Sequence, residues 1–114
     1  MAQWPATVQL QKASPLKTLN LVGAGRVGQT LARLWQRQGT FAVQDVLTNS
    51  PASAQAACAA IGAGYAVETL QAMRPADVWM LAVPDTELPA VAQALASAFA
   101  ASSALSAQTV AFHC

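Results

Sequence analysis

Charged residues are scarce in this chain. Asp, Glu, Lys and Arg together make up 10% of its 114 residues, and the formal net charge is +1. This balance gives no broad electrostatic attraction to nucleic acid or to a membrane surface, so we expect neither as a partner. Hydrophobic residues make up 54% of the chain, which suits a sheet that is buried on both faces. The length is that of one domain.

Cysteine is also scarce. The two cysteines, Cys58 and Cys114, are too few for a disulfide framework. The sequence has no Cys-x-x-Cys pair and no Cys/His cluster, so it predicts no metal site. The N-terminal segment is polar and contains Pro5, unlike a signal peptide, and we expect a reducing, cytoplasmic setting. We predict a flexible leader over residues 1–15 and a folded domain over 16–114.

No formally charged residue follows Glu87. Residues 88–107 are mostly alanine, interrupted by serines and by Gln93. Alanine and serine gain little free energy on entering a bilayer, so a membrane span is not expected here. The segment instead predicts an alanine-rich helix that packs closely on a sheet.

Short apolar segments alternate with helical patterns along the chain. This alternation predicts an α/β fold, with a doubly wound parallel sheet between two layers of helices. Right-handed crossovers then give the strand order 3-2-1-4-5 of a Rossmann-like, three-layer αβα domain. The predicted strands are 16–22, 41–48, 65–67, 76–83 and 109–113. The predicted helices are 26–38, 52–61 and a third that is capped by Asp85 or Thr86 and ends near residue 100.

The first predicted helix has a clear apolar periodicity. Its residues Val27, Leu31, Leu34 and Trp35 lie at i, i+4, i+7 and i+8. This spacing places them on one face, which we expect to pack on the sheet. Gly39 is predicted to end the helix.

The most informative motif is Gly-x-Gly-x-x-Gly at 23–28, between the first strand and this helix. In that position Gly23 makes the tight turn, Gly25 lets a pyrophosphate approach the backbone, and Gly28 lets the helix pack close to the sheet. Backbone N–H groups near Arg26 and Val27 would then face the phosphate oxygens. The alternative is a glycine turn that binds nothing.

The end of the second strand bears on the choice of nucleotide. An NAD site usually has a carboxylate there, which holds the ribose 2′-OH. This chain has Thr48, Asn49 and Ser50 instead, whose side chains can donate to a 2′-phosphate, and Arg26 could add a positive charge. These residues favour NADP. If the strand ends earlier, Asp45 would take the ribose and NAD would be preferred; otherwise Asp45 is a structural carboxylate.

Four segments together resemble a known family. They are Leu-Val-Gly-Ala-Gly-Arg-Val-Gly-Gln-Thr-Leu-Ala, Thr-Asn-Ser-Pro-Ala-Ser-Ala, Ala-Asp-Val-Trp-Met-Leu-Ala-Val-Pro-Asp and Val-Ala-Phe-His-Cys. The chain is similar over 16–114 to the N-terminal Rossmann-like domain of bacterial predicted NADP-dependent oxidoreductases, in the superfamily of pyrroline-5-carboxylate reductase and 6-phosphogluconate dehydrogenase.

The resemblance implies a role for each part of the site. It implies that the glycine segment holds the pyrophosphate, that the end of strand two meets the adenosine 2′ position, and that the end of strand four lies along the nicotinamide-side ribose. The residues carried over in these roles are Gly23, Ala24, Gly25, Arg26 and Val27, then Thr48, Asn49 and Ser50, then Ala82, Val83 and Pro84. The resemblance also places His113 near the nicotinamide.

Two further residues carry alternatives. Asp85 either caps the third helix or contacts the cofactor ribose. His113 is the single histidine; it is either a catalytic acid or substrate hydrogen-bond donor, or a structural residue at a strand end.

The expected function is the NADP-binding domain of an oxidoreductase that transfers hydride to or from an imine or a carbonyl. The family's helical C-terminal domain, which supplies much of the substrate pocket and usually a dimer interface, does not follow here, so we expect no turnover by this chain alone, and a homodimer is an open alternative. A competing function is a dinucleotide-sensing module of the kind that gates potassium transporters. Those modules share the glycine motif but usually carry an acid after strand two. A degenerate domain without a ligand is the third alternative.

Overall fold

The computed structural model describes residues 17–23, 25–102 and 110–113. The strands are β1 (Thr18–Val22), β2 (Ala42–Leu47), β3 (Tyr65–Val67), β4 (Val78–Leu81) and β5 (Val110–His113). The helices are α1 (Arg26–Gln38), α2 (Pro51–Ile61) and α3 (Leu88–Ser102), with a one-turn 3-10 helix at Leu70–Ala72. All strand pairs are parallel, and the sheet order is β3-β2-β1-β4-β5. The predicted topology is confirmed. The predicted leader at 1–15, together with Ala24 and Cys114, lies outside the described residues.

Helices cover both faces of the sheet, as predicted. On one face, side chains of β1, β2 and β4 pack with Ala32 of α1 and with Ala57 and Ile61 of α2. On the other face, Trp79 packs in a second cluster with Leu95 of α3 and with residues of the 3-10 turn. Trp79 is 1% exposed and belongs to the core. The domain therefore has three layers, and the sheet is the middle one.

The predicted inner face of α1 is wrong at two positions. Val27 is 60% and Leu34 46% exposed, whereas Gly28 and Ala32 are buried. Gly28 and Ala32 are one turn apart, and small residues at this spacing bring the helix backbone close to the sheet. The face of α1 that packs on the sheet is thus centred about one residue further along the chain than predicted, and Val27 lies on the exposed side.

A bulge in β2 is stabilised by a buried asparagine. Leu19 and Leu21 of β1 pair with Val43 and Val46, so two residues of β2, Gln44 and Asp45, lie opposite the single residue Asn20 of β1. Asn20 is fully buried, and its Oδ1 accepts from the N–H of Asp45 at 3.2 Å. Its Nδ2 donates to the carbonyl of Arg74 at 2.7 Å. The Asn20 side chain therefore gives the N–H of Asp45 an acceptor where the bulge interrupts the ladder.

The described helices are all too short, or not apolar enough, to cross a bilayer. The alanine-rich helix predicted after Glu87 is α3, whose Leu88, Val91 and Leu95 lie on the sheet.

Candidate functional site

A cleft of about 590 Å³ lies at the carboxyl ends of the central strands. In a doubly wound sheet this edge is where ligands bind, because strand order reverses there and the loops diverge. The cleft is lined by Val22, Gly23, Gly25, Arg26, Val27, Gly28, Leu47, Thr48, Asn49, Ala82, Val83, Pro84, Glu87 and Val91. Its floor is formed by the glycine loop, with the ends of β2 and β4 on either side.

Gly23 is where the chain leaves the sheet, and no other residue fits there. Its φ is +103°, and a Cβ at this position would lie 2.2 Å from the carbonyl oxygen of Ala82. Its N–H donates to the carbonyl of Leu47 at 2.7 Å. The loop thus lies between the ends of β2 and β4. The tight-turn role predicted for Gly23 matches this geometry.

Gly25 precedes the first residue of α1 and lies against the end of β4. Its N–H donates to the carbonyl of Ala82 at 3.2 Å, and its carbonyl accepts from Gln29 at 3.0 Å. Because that is the first bond of the helix, the N–H groups of residues 26–28 have no acceptor within the helix. No side chain caps this end, and its first turn holds no acid. The helix dipole and these N–H groups together favour an anion in the cleft.

The end of β2 brings two of its three predicted residues into the cleft. Thr48 and Asn49 line it. The Thr48 hydroxyl also donates to the carbonyl of Ser50 at 2.8 Å, which fixes the turn. Ser50 itself is not a lining residue: its hydroxyl accepts from the N–H of Ser53 at 3.1 Å and caps α2.

Asp45 does not reach the cleft. It lies within β2, is 1% exposed, and binds Arg74. One carboxylate oxygen accepts from the backbone N–H of Arg74 at 2.7 Å, and the other lies 2.8 Å from Nη2. This contact raises the pKa of Arg74, chiefly through its hydrogen bond to Asp45. Of the two interpretations of Asp45, the geometry fits the structural carboxylate and not the ribose ligand.

The end of β4 contributes Ala82, Val83 and Pro84 to the cleft. Asp85 is not a lining residue, and its side chain is 93% exposed. Two residues that the sequence did not indicate, Glu87 and Val91, do line the cleft. They are one helical turn apart, and the N–H of Val91 donates to the carbonyl of Glu87 at 3.1 Å. Their i, i+4 spacing was the available signal, but it required knowing which face α3 presents.

His113 is not among the residues that line the cleft. Its Nε2 is 2.9 Å from the carbonyl oxygen of Val83 and 3.7 Å from Oδ1 of Asp85. Among the described residues no cluster of His, Cys, Asp and Glu could hold a metal ion. Ala24 of the glycine motif lies outside the described residues.

The sequence profile of the Rossmann-like domain family matches residues 1–113. The chain belongs to this family. The match covers nearly the whole chain and agrees with the sheet order and the glycine loop described above. No curated protein matches this chain significantly.

Solved structures with this fold are larger proteins. A Bacteroides fragilis protein described as an NADP oxidoreductase superposes with a TM-score of 0.71 at 17% identity, over 86% of the domain and 35% of that chain. Prephenate dehydrogenase from A. aeolicus, with NAD+, gives 0.64 at 20% identity, over 89% and 34%. Lactate dehydrogenase from Eimeria maxima, with NADH, gives 0.55 at 18% identity, over 75% and 32%. At these identities the likeness shows the fold, and the domain spans about a third of each chain.

Proposed function

We propose that this Rossmann-like domain binds NADP(H) in the cleft and serves an oxidoreductase. The observation that carries the proposal is the glycine loop. Gly23 and Gly25 bring bare backbone to the floor of the cleft, and the uncapped start of α1 supplies N–H donors beside Arg26. A pyrophosphate is the anion that this geometry suits. The fold likeness to dinucleotide-dependent dehydrogenases supports the same class of ligand.

The end of β2 supports NADP over NAD. Thr48 and Asn49 are the side chains that β2 presents to the cleft, and neither is acidic. Asp45, the nearest acid in β2, is committed to Arg74. A 2′-phosphate beside Thr48 and Asn49 would find hydroxyl and amide donors, with the Arg26 guanidinium in the same lining.

The chemistry we propose is hydride transfer to or from an imine or a carbonyl. The nicotinamide supplies the hydride when bound, and the residues of this domain bind and orient the dinucleotide. Hydride transfer also needs a substrate held at near-attack distance in a site shielded from water. The described lining provides no pair of residues suited to acid/base work on such a substrate, since its charged members are Arg26 and Glu87. We therefore propose binding without appreciable turnover by residues 1–114 alone.

Calorimetric titration of the purified domain with NADPH and with NADH tests this proposal. We expect saturable binding, tighter for NADPH. In a separate absorbance assay with a panel of imines and 2-oxo acids, we expect no substrate-dependent loss of NADPH. Tighter binding of NADH would favour a sensing module of the potassium-transport type. Binding of neither dinucleotide by the folded protein would favour a degenerate domain and would refute the proposal. Rapid turnover would refute its second half.

A further inference from the structure

The last residue of β5 reaches across to the turn that follows β4. His113 pairs with Leu81 in the sheet register, yet its Nε2 lies 2.9 Å from the carbonyl oxygen of Val83, two residues further on. Because a carbonyl oxygen can only accept, Nε2 carries the proton and donates it. Oδ1 of Asp85, at the far end of the same turn, lies 3.7 Å from Nε2.

The two carbonyl groups that follow β4 are bound from opposite sides. The Ala82 carbonyl accepts from the N–H of Gly25, at 3.2 Å. The next carbonyl, that of Val83, accepts from His113. Between them these bonds join the glycine loop, the wall of the cleft and the edge strand β5. The wall is formed by Ala82, Val83 and Pro84, so its position depends on both bonds.

We propose that His113 is a positioning residue that holds the turn at Val83–Asp85 in place for one half of the dinucleotide. The inference rests on the proposed function. His113 is not in the lining of the cleft, and its Nε2 proton is bound to backbone. It therefore acts through Val83, and not as the acid that protonates a substrate.

The strand order indicates which half of the dinucleotide lies beside the turn that His113 holds. β2 and β4 flank β1 on opposite sides. A dinucleotide whose pyrophosphate lies on the loop at Gly23–Gly28 extends one half toward Thr48 and Asn49 and the other toward Val83 and Pro84. In the proposed site the adenosine and its 2′-phosphate lie beside Thr48 and Asn49, so the nicotinamide half, beside Val83, is the one that loses contacts when the turn moves.

The test compares two ligands across three variants, His113→Ala, His113→Gln and His113→Asn. NADPH spans the whole cleft, whereas adenosine 2′,5′-bisphosphate occupies only the side of Thr48 and Asn49. The amide nitrogen of Gln matches the position of the histidine Nε2, and that of Asn matches Nδ1. Gln can therefore donate to the Val83 carbonyl and Asn cannot, which makes Asn the matched control.

We expect His113→Ala and His113→Asn to weaken NADPH binding by about three- to tenfold, the value of one lost hydrogen bond. Binding of adenosine 2′,5′-bisphosphate should stay within about twofold of wild type in all variants, since it does not reach the turn. His113→Gln should restore NADPH binding. If His113→Ala does not fold, the comparison of Gln with Asn decides alone.

Two outcomes would overturn the proposal. Equal weakening of both ligands would show a general structural role. Equal affinity of the Gln and Asn variants for NADPH would show that the bond to Val83 is irrelevant. Failure of the wild-type protein to bind either ligand would instead refute the proposed function itself, and that result is visible before any variant is made.

Discussion

Asp45 of β2 forms an ion pair with Arg74 at 2.8 Å, two residues before β2 ends at the cleft. The pair takes the nearest β2 carboxylate out of reach of a bound ribose and leaves Thr48 and Asn49 as the polar residues at that edge. For the proposed dinucleotide site, we therefore expect these two side chains to decide between NADP and NAD.

Replacing Asn49 by Asp should reverse the cofactor preference. A carboxylate near a 2′-phosphate costs on the order of 1–3 kcal/mol at a partly exposed site, or about five- to 150-fold in affinity. The same carboxylate accepts a hydrogen bond from a 2′-OH. Calorimetric dissociation constants for NADPH and NADH give the ratio directly. Asp45→Asn is the matched control, and it should leave that ratio unchanged. A change of the ratio in the control, with none in Asn49→Asp, would assign the ribose to Asp45.

Removing the side chain of Asn20 should destabilise the domain without altering the cleft. Asn20 is fully buried and bonds to the N–H of Asp45 and to the carbonyl of Arg74. Leaving such groups unsatisfied costs about 1–3 kcal/mol, so Asn20→Ala should lower the free energy of unfolding in urea by that amount. Arg33→Ala, on the exposed face of α1, is the control and should change stability little. A neutral Asn20→Ala would mean that the bulge is held by other contacts.

The glycines of the domain should separate damage to the fold from damage to binding. Gly23→Ala adds a Cβ that would lie 2.2 Å from the Ala82 carbonyl at a φ of +103°, so we expect it to unfold or strongly destabilise the protein. Gly39 has a φ of +74° but no atoms near a Cβ. Gly39→Ala should therefore cost only the backbone strain, about 1–2 kcal/mol.

Gly25→Val is the matching test of binding. The φ of Gly25 is −60°, which other residues adopt, so the fold should survive with a modest loss of stability as Ala82 adjusts. A branched side chain at this position occupies the space of the pyrophosphate, and NADPH affinity should fall sharply. Circular dichroism establishes folding and calorimetry measures affinity. Unchanged affinity in the folded variant would sink the assignment of the glycine loop.

Cys58 should react slowly with thiol reagents. Burial raises the pKa of its thiol, and the nearby charge of Asp45 raises it further. Because the thiolate is the nucleophile, alkylation by iodoacetamide at pH 8 should be slower than that of free cysteine. The same pKa shift determines how the free energy of unfolding changes with pH. The folded protein retains the proton more strongly than the unfolded chain, so this contribution is intact below the unfolded pKa and decreases as pH rises toward the folded one.

A Cys114→Ser background isolates the reaction of Cys58 in that experiment. In this background, alkylation as fast as that of free cysteine at low denaturant would show that the site opens readily. A stability that increases between pH 8 and pH 10 would contradict the direction of the pKa shift.

Much of the fold could be predicted from the sequence, because alternating strand and helix patterns permit few topologies. The bounds of α1 and β3 agree with the prediction, and the sheet order follows from right-handed crossovers. The predicted strand at 76–83 is longer than β4, which is Val78–Leu81. The N–H of Ala82 still donates to Val22 of β1, but its carbonyl accepts from Gly25 in the glycine loop, so the strand does not continue beyond it.

Other features of the site depend on contacts distant in sequence. The predicted orientation of α1 is wrong because its apolar residues are compatible with two neighbouring faces of the helix. The small residues Gly28 and Ala32 determine which of the two faces packs on the sheet. The partner of Asp45 is 29 residues away, beyond the reach of local patterns. Glu87 lines the cleft because a turn precedes α3, and its i, i+4 spacing to Val91 does not by itself show which face α3 presents.

Backbone NMR with NADPH tests most directly whether this cleft is a dinucleotide site. We expect the largest shifts of amide resonances at the start of α1, at Thr48 and Asn49, and at Ala82 and Val83, with saturation on titration. The amide resonance of Thr18 serves as the internal control. This N–H donates to Asp77 at 2.9 Å at the opposite end of the strands, and its chemical shift should not change on titration. Shifts confined to that edge, or none in the folded protein with either NADPH or NADH, would contradict a dinucleotide site in the cleft.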